Sequence, residues 1–125
     1  MNSFMLVDDQ PSVRQALRME IELELGRKVV GEASTVSEGL ALAQQLQPDI
    51  VIMDVGLPDG DGISAVATLR GIAPRCRVLI LTMHGDEMTR ARAMQAGGDA
   101  YAEKGTAESF AGAALEIILR FDAQH

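Results

Sequence analysis

An α/β fold built on a parallel sheet is what this chain predicts, and three observations predict it. Strand and helix signals alternate five times from end to end, the pattern of a sheet whose parallel strands are joined through helices. Two strand segments, Ile50-Val51-Ile52-Met53 and Val78-Leu79-Ile80-Leu81, are apolar without alternation, as strands covered on both faces are. No internal repeat, low-complexity tract or linker interrupts the 125 residues, which therefore read as one domain large enough to bury a core.

Each element has its own signal. Phe4-Met5-Leu6-Val7 is the first strand. Pro11 stands where a helix begins, a position at which its missing N–H costs nothing, and that helix runs to about Gly26. Val29-Val30, with Glu32 outward, reads as a weaker edge strand. Thr35-Val36-Ser37-Glu38 matches a capping box, the Glu lying three residues after the capping hydroxyl. Val36, Leu40, Ala43 and Leu46 form the inward stripe of the helix it opens, which Pro48 ends.

Ile50 to Met53 is the third strand, and the turn-rich loop Gly56-Leu57-Pro58-Asp59-Gly60-Asp61-Gly62 follows it. Ile63, Val66 and Leu69 mark a short helix, and Val78 to Leu81 the fourth strand. Glu87 to Ala96 is helical but Ala-rich and carries Arg90 and Arg92, so its apolar face is thin. Gly97-Gly98 ends it, glycine tolerating the left-handed cap. Ala100-Tyr101-Ala102 is the fifth strand, and Phe110, Ala114, Ile117, Ile118 and Phe121 give a final packed helix.

Composition narrows the function classes. Lys plus Arg number 11 against 18 Asp plus Glu, a net charge of −7 that repels DNA and anionic lipid. Three Phe, one Tyr and no Trp leave no stacking platform for single-stranded nucleic acid. No apolar run approaches the roughly 20 residues that span a bilayer, and Met1-Asn2-Ser3-Phe4 is unlike a signal peptide. A lone Cys76, read as a small buried residue entering a strand, excludes an internal disulfide and fits a reducing cytoplasm.

The strand ends carry the chemistry. In a parallel α/β sheet they meet at one carboxyl edge, where ligands bind. Here those ends bear Asp8 and Asp9, then Asp54, Thr82 and Lys104. Taken singly, an Asp-Asp pair before Pro11 is a helix cap, Asp54 a turn residue, Thr82 a β-branched strand residue and Lys104 a solvated charge. Taken together they suit a phosphoryl group on an aspartate. Asp8 or Asp9, with Asp54 and a backbone carbonyl of the next loop, would supply the protein's share of an octahedral Mg²⁺ shell. The metal would draw charge off an incoming phosphoryl group while an Asp54 oxygen attacks in line. Lys104 would pair with the phosphate and the Thr82 hydroxyl would donate to it.

The segments Val7-Asp8-Asp9-Gln10-Pro11, Val30-Gly31-Glu32-Ala33, Asp49 to Pro58, Leu81-Thr82-Met83-His84 and Asp99-Ala100-Tyr101-Ala102-Glu103-Lys104 together resemble a receiver domain of a two-component response regulator. The resemblance covers essentially the whole chain and extends to the NarL/FixJ (LuxR-type) subgroup, whose members usually join a receiver to a helix-turn-helix DNA-binding domain. It implies a flavodoxin-like, doubly wound sheet of five parallel strands in the order 2-1-3-4-5 with five helices. It implies that Asp54 accepts a phosphoryl group from a sensor histidine kinase, with no turnover of a free substrate. Asp8 and Asp9 then serve Mg²⁺, the Gly56 carbonyl completes the protein ligands, and Thr82 and Lys104 contact the phosphate. Tyr101 is the aromatic that responds when Thr82 moves.

The chain departs from the family pattern at three places. Gly105 follows Lys104 where many receivers have proline; Met83 is bulkier than the usual small residue and narrows access to Asp54; Arg90 replaces an apolar residue, which weakens docking of its helix. His84 is a loop residue beside the site, neither ligand nor phosphodonor.

Other readings fit less well. A haloacid-dehalogenase-like phosphotransferase wants a second Asp two residues after its nucleophile, where this chain has Gly56. A flavin-mononucleotide binder wants hydroxyls after the first strand, where Asp8-Asp9 would repel its phosphate. Asp59-Gly60-Asp61-Gly62 lacks the remaining ligands of an EF-hand and reads as a turn. The expected organisation is a receiver over residues 1–121 with residues 122–125 as a polar tail or the start of a linker. Such a chain is the regulatory half of a transcription factor whose DNA-binding domain lies beyond it, with the last helix helping it form a homodimer. The alternative is a stand-alone receiver signalling through protein contacts.

Overall fold

The structure, a computed structural model, describes residues 3–55, 62–82 and 87–103, with the backbone alone at Thr82, Thr89, Ala102 and Glu103. In chain order the elements are β1 (Ser3–Val7), α1 (Pro11–Met19), a π-helical turn (Glu20–Glu24), β2 (Lys28–Ala33), α2 (Val36–Leu46), β3 (Ile50–Asp54), α3 (Gly62–Ile72), β4 (Arg77–Thr82), α4 (Glu87–Gln95) and β5 (Ala100–Glu103). Every strand pairing is parallel, and the order is β2-β1-β3-β4-β5, as expected. The final helix expected around Phe110 to Phe121 lies outside the described residues.

The uniformly apolar central strands sort their side chains by the pleat, alternate residues facing opposite sides. Phe4, Leu6, Ile50, Ile52, Leu79 and Leu81 join Val13, Leu17 and Ile21 in one core. Met5, Val7, Val51, Met53, Val78 and Ile80 join Ala43, Val66, Leu69 and Ala93 in the other. Cys76 is buried in this second core beside the start of β4.

Helix ends follow the chain chemistry closely. Pro11 takes the first turn of α1 behind the N-cap Gln10, which makes no side-chain cap bond. Toward its end this helix widens into the π-turn, with the Leu25 N–H bonded to the Glu20 carbonyl five residues back. Ile21, four residues after Leu17, continues the buried stripe of α1 through this turn, while Leu23 faces outward, 73% exposed. The Thr35 hydroxyl accepts from the Glu38 N–H at 3.2 Å, the expected cap of α2. That helix stops at Gln47, whose left-handed φ of 48° ends it one residue before Pro48.

One residue expected in the core, Leu46, lies outside it. Leu46 is 38% exposed, because β2 is an edge strand and Leu46 overhangs it at Gly31. The deep contacts of α2 are made by Ala43 and by Gly39, where an added Cβ would sit 3.0 Å from a Val7 methyl.

Candidate functional site

Strand register assembles the site. Val7 of β1 pairs with Met53 of β3, so the next residues, Asp8 and Asp54, emerge side by side at the carboxyl edge of adjacent strands. Asp54 in turn pairs with Leu81 of β4, and the Val55 N–H bonds to the Leu81 carbonyl at 3.1 Å, which carries the β3 ladder just past the aspartate. Asp8 and Asp54 are the two buried charged residues among those described, 1% and 3% exposed, while Asp9 is exposed. One carboxylate oxygen from each of the three lies within 4.8 Å of the others.

Asp8 is held at several points. Its N–H donates to the Ala33 carbonyl at the end of β2 at 3.0 Å. Its Oδ1 accepts the Gln10 N–H at 2.8 Å, closing a short turn into α1. Its carbonyl accepts from Arg14 Nη1 at 2.6 Å. The acidic pair is therefore not the cap of α1, the reading it has when taken apart from the other strand ends; the N-cap is Gln10. It is a turn pinned to β2 on one side and to α1 on the other.

Behind Asp54 the chain passes very close to the start of α3. A Cβ added at Gly62 would lie 2.5 Å from Val55 Cα and 2.7 Å from the Asp54 carbonyl oxygen. Glycine is thus what lets the buried first turn of α3 abut the strand end that carries Asp54.

Three oxygens, two of them on buried carboxylates, form a donor set that suits a hard divalent cation. Buried like charges so close together are costly unless such a charge, or a proton, compensates them.

Thr82 ends β4 in register with Glu103 of β5, so its backbone is at the same edge. Tyr101 is half-buried in β5, paired with Ile80. Gly56, Met83, His84 and Lys104 lie outside the described residues. Arg90 is exposed on α4 with its guanidinium 5.7 Å from the centre of the Tyr101 ring. Sequence reasoning missed Arg14, whose bond to Asp8 is invisible until α1 is docked. It also treated Gly62 as a mere turn residue.

Residues 4–114 match the response regulator receiver domain family. The chain belongs to that family. Among its relatives is the KDP operon transcriptional regulatory protein KdpE of Escherichia coli, 35% identical over 96% of this chain and 52% of that protein. Among solved structures, a LuxR-family two-component response regulator from an Aurantimonas species is 38% identical, with a TM-score of 0.83 over 96% of this chain and 86% of that one. The response regulator domain of Thermotoga maritima CheB is 27% identical, with a TM-score of 0.87 over 96% of this chain and 95% of that one. The receiver chain spans about half the length of the curated relatives it matches. Receivers of this kind are phosphoacceptors for sensor histidine kinases.

Proposed function

We propose that Asp54 is the phosphoacceptor of this receiver and that Asp8, Asp9 and Asp54 hold Mg²⁺ beside it, the Gly56 carbonyl completing the protein ligands. The observation that carries the reading is the gathering of three carboxylates within 4.8 Å at the carboxyl edge of the sheet, two of them buried. An Asp54 oxygen attacks the phosphorus of a phosphohistidine on a sensor histidine kinase. The O–P bond forms, the N–P bond breaks, and its electron pair stays with the imidazole nitrogen. Asp8, Asp9 and Asp54 would hold Mg²⁺, which would supply positive charge to offset the carboxylates and the incoming phosphoryl oxygens. Asp8, anchored through its N–H, its carbonyl and Oδ1, keeps the acidic turn in place during the transfer. Thr82 and Lys104 then bind the phosphoryl oxygens, Met83 narrows access to Asp54, and Tyr101 responds to the movement of Thr82.

In the same reading the chain is no turnover enzyme, and its output is transcriptional. Residues 1–121 act as the regulatory domain and residues 122–125 begin a tail or linker to a DNA-binding domain. The half-length match to relatives named as transcriptional regulators supports that arrangement. The net charge of −7 is adverse to DNA contact by this part of the protein. Pairing into a homodimer and a cytoplasmic location complete the proposal. Among the described residues no helix is long and apolar enough to cross a membrane.

The test is phosphorylation by a small acyl phosphate, followed by intact mass. Addition of one phosphoryl group with Mg²⁺, and none with a chelator in its place, is the expected result. Equal labelling without divalent metal would overturn the metal assignment.

A further inference from the structure

We propose that Arg14 is a positioning residue for the metal site, setting Mg²⁺ affinity through the backbone of Asp8; the inference rests on the metal reading above. Arg14 Nη1 donates to the Asp8 carbonyl oxygen at 2.6 Å. Arg14 Nε donates to Glu32 Oε1 on β2 at 3.2 Å. The second oxygen of Glu32 is taken by Arg18, one turn further along α1. The Glu32 carboxylate is therefore a fork with an arginine on each tine, and the guanidinium of Arg14 bridges it to the peptide joining Asp8 and Asp9.

Two features make this more than a surface ion pair. Arg14 and Glu32 side chains are 19% and 29% exposed, so solvent weakens the bridge less than it would at an open surface. The planar fork of arginine satisfies two acceptors in fixed directions at once, which a lysine cannot do. Glu32 sits on the edge strand, one residue before Ala33, whose carbonyl receives the Asp8 N–H. Both sides of the Asp8 backbone are thus tied to the same end of β2, directly through the ladder and indirectly through Arg14. Groups that orient a ligand from outside typically change metal affinity by about 10–100-fold when removed.

Charge and position predict opposite signs, which makes the proposal decidable. Arg14 is a cation near a cation site, so deleting it should tighten Mg²⁺ binding if its charge were what mattered. If it positions Asp8 and Asp9, deleting it should loosen binding. The experiment measures Mg²⁺ affinity by calorimetry on the wild-type chain, Arg14→Met and Arg14→Lys, with melting temperatures alongside. We expect Arg14→Met to bind about tenfold more weakly. Arg14→Lys, which keeps the charge but loses the fork, should fall in between, and acyl-phosphate labelling of both should return to the wild-type rate at saturating Mg²⁺. Tighter binding by Arg14→Met with Arg14→Lys unchanged would overturn the proposal in favour of a charge effect. A lowered melting temperature with unaltered Mg²⁺ affinity in Arg14→Lys would reduce Arg14 to a structural brace. A wild-type chain that binds no Mg²⁺ would sink the metal reading and this inference with it, whereas wild-type binding with unchanged variants would sink this inference alone.

Discussion

The guanidinium of Arg90 lies over the face of the Tyr101 ring, 5.7 Å from its centre. This contact ties α4 to β5 by a cation–π attraction where an apolar helix residue would have packed instead. It adds to the packing of Ala93, buried in the second core, and of Ala96 against that core. Such contacts contribute about 0.5–1 kcal/mol at exposed sites, enough to hold a helix and little enough to release it.

Tyr101 is the chain's one tyrosine and there is no tryptophan, so its fluorescence reports this contact alone. Arg90→Ala should leave the fold intact, cost no more than about 1 kcal/mol in urea unfolding, and make Tyr101 easier to quench with acrylamide. Unchanged quenching would mean the guanidinium does not cover the ring in solution.

Weakly packed elements move at low cost. Amide chemical-shift changes on phosphorylation should therefore cluster between Thr82 and Tyr101 and include α4. Changes confined to α2, around Leu40, would contradict that.

Gly62→Ala should destabilise the protein by about 1–3 kcal/mol, the range for forcing atoms into a packed core. The added methyl meets Val55 Cα and the Asp54 carbonyl, backbone atoms with no rotamer to yield. Gly71→Ala, where nothing lies within 4 Å, serves as the control and should be neutral or stabilising. Equal effects at the two sites would show that α3 does not press on the Asp54 strand end.

Cys76 offers a check on the second core. Burial pushes its thiol above the usual value, the nearby Arg70 opposing this only in part. Because the unfolded chain would ionise the thiol first, stability is unaffected well below about pH 8.5 and falls as the pH rises beyond it. Cys76→Ala should remove that part of the alkaline decline, read by urea midpoints across pH 7–10. An identical decline in both proteins would place the thiol in solvent.

Much of this was legible in the sequence, and for physical reasons. Short unbroken apolar runs and helices opened by Pro11 and Thr35 are local signals, so elements and their order could be read from neighbours in the chain. The juxtaposition of Asp8 with Asp54 follows once strands are parallel and start level. What stayed hidden depends on docking. Leu46 looked inward by periodicity but overhangs an edge strand, and the π-turn after Met19 leaves no residue-level signature in its Glu-rich segment. Arg14 and Glu32 are 18 residues apart, and nothing in the chain pairs them until α1 docks beside the sheet. Gly39 and Gly62 matter for atoms they lack, against partners far away in the chain or just behind them.

The most direct test of the account is the position of the phosphoryl group. The chain should be labelled with an acyl phosphate and Mg²⁺, the adduct trapped by reduction with borohydride, and the modified residue located by peptide mass spectrometry, alongside Asp54→Asn. The account predicts a single modified residue, Asp54, and no labelling of the folded Asp54→Asn protein. Labelling of that variant at the wild-type rate, with the adduct on another residue, would contradict it.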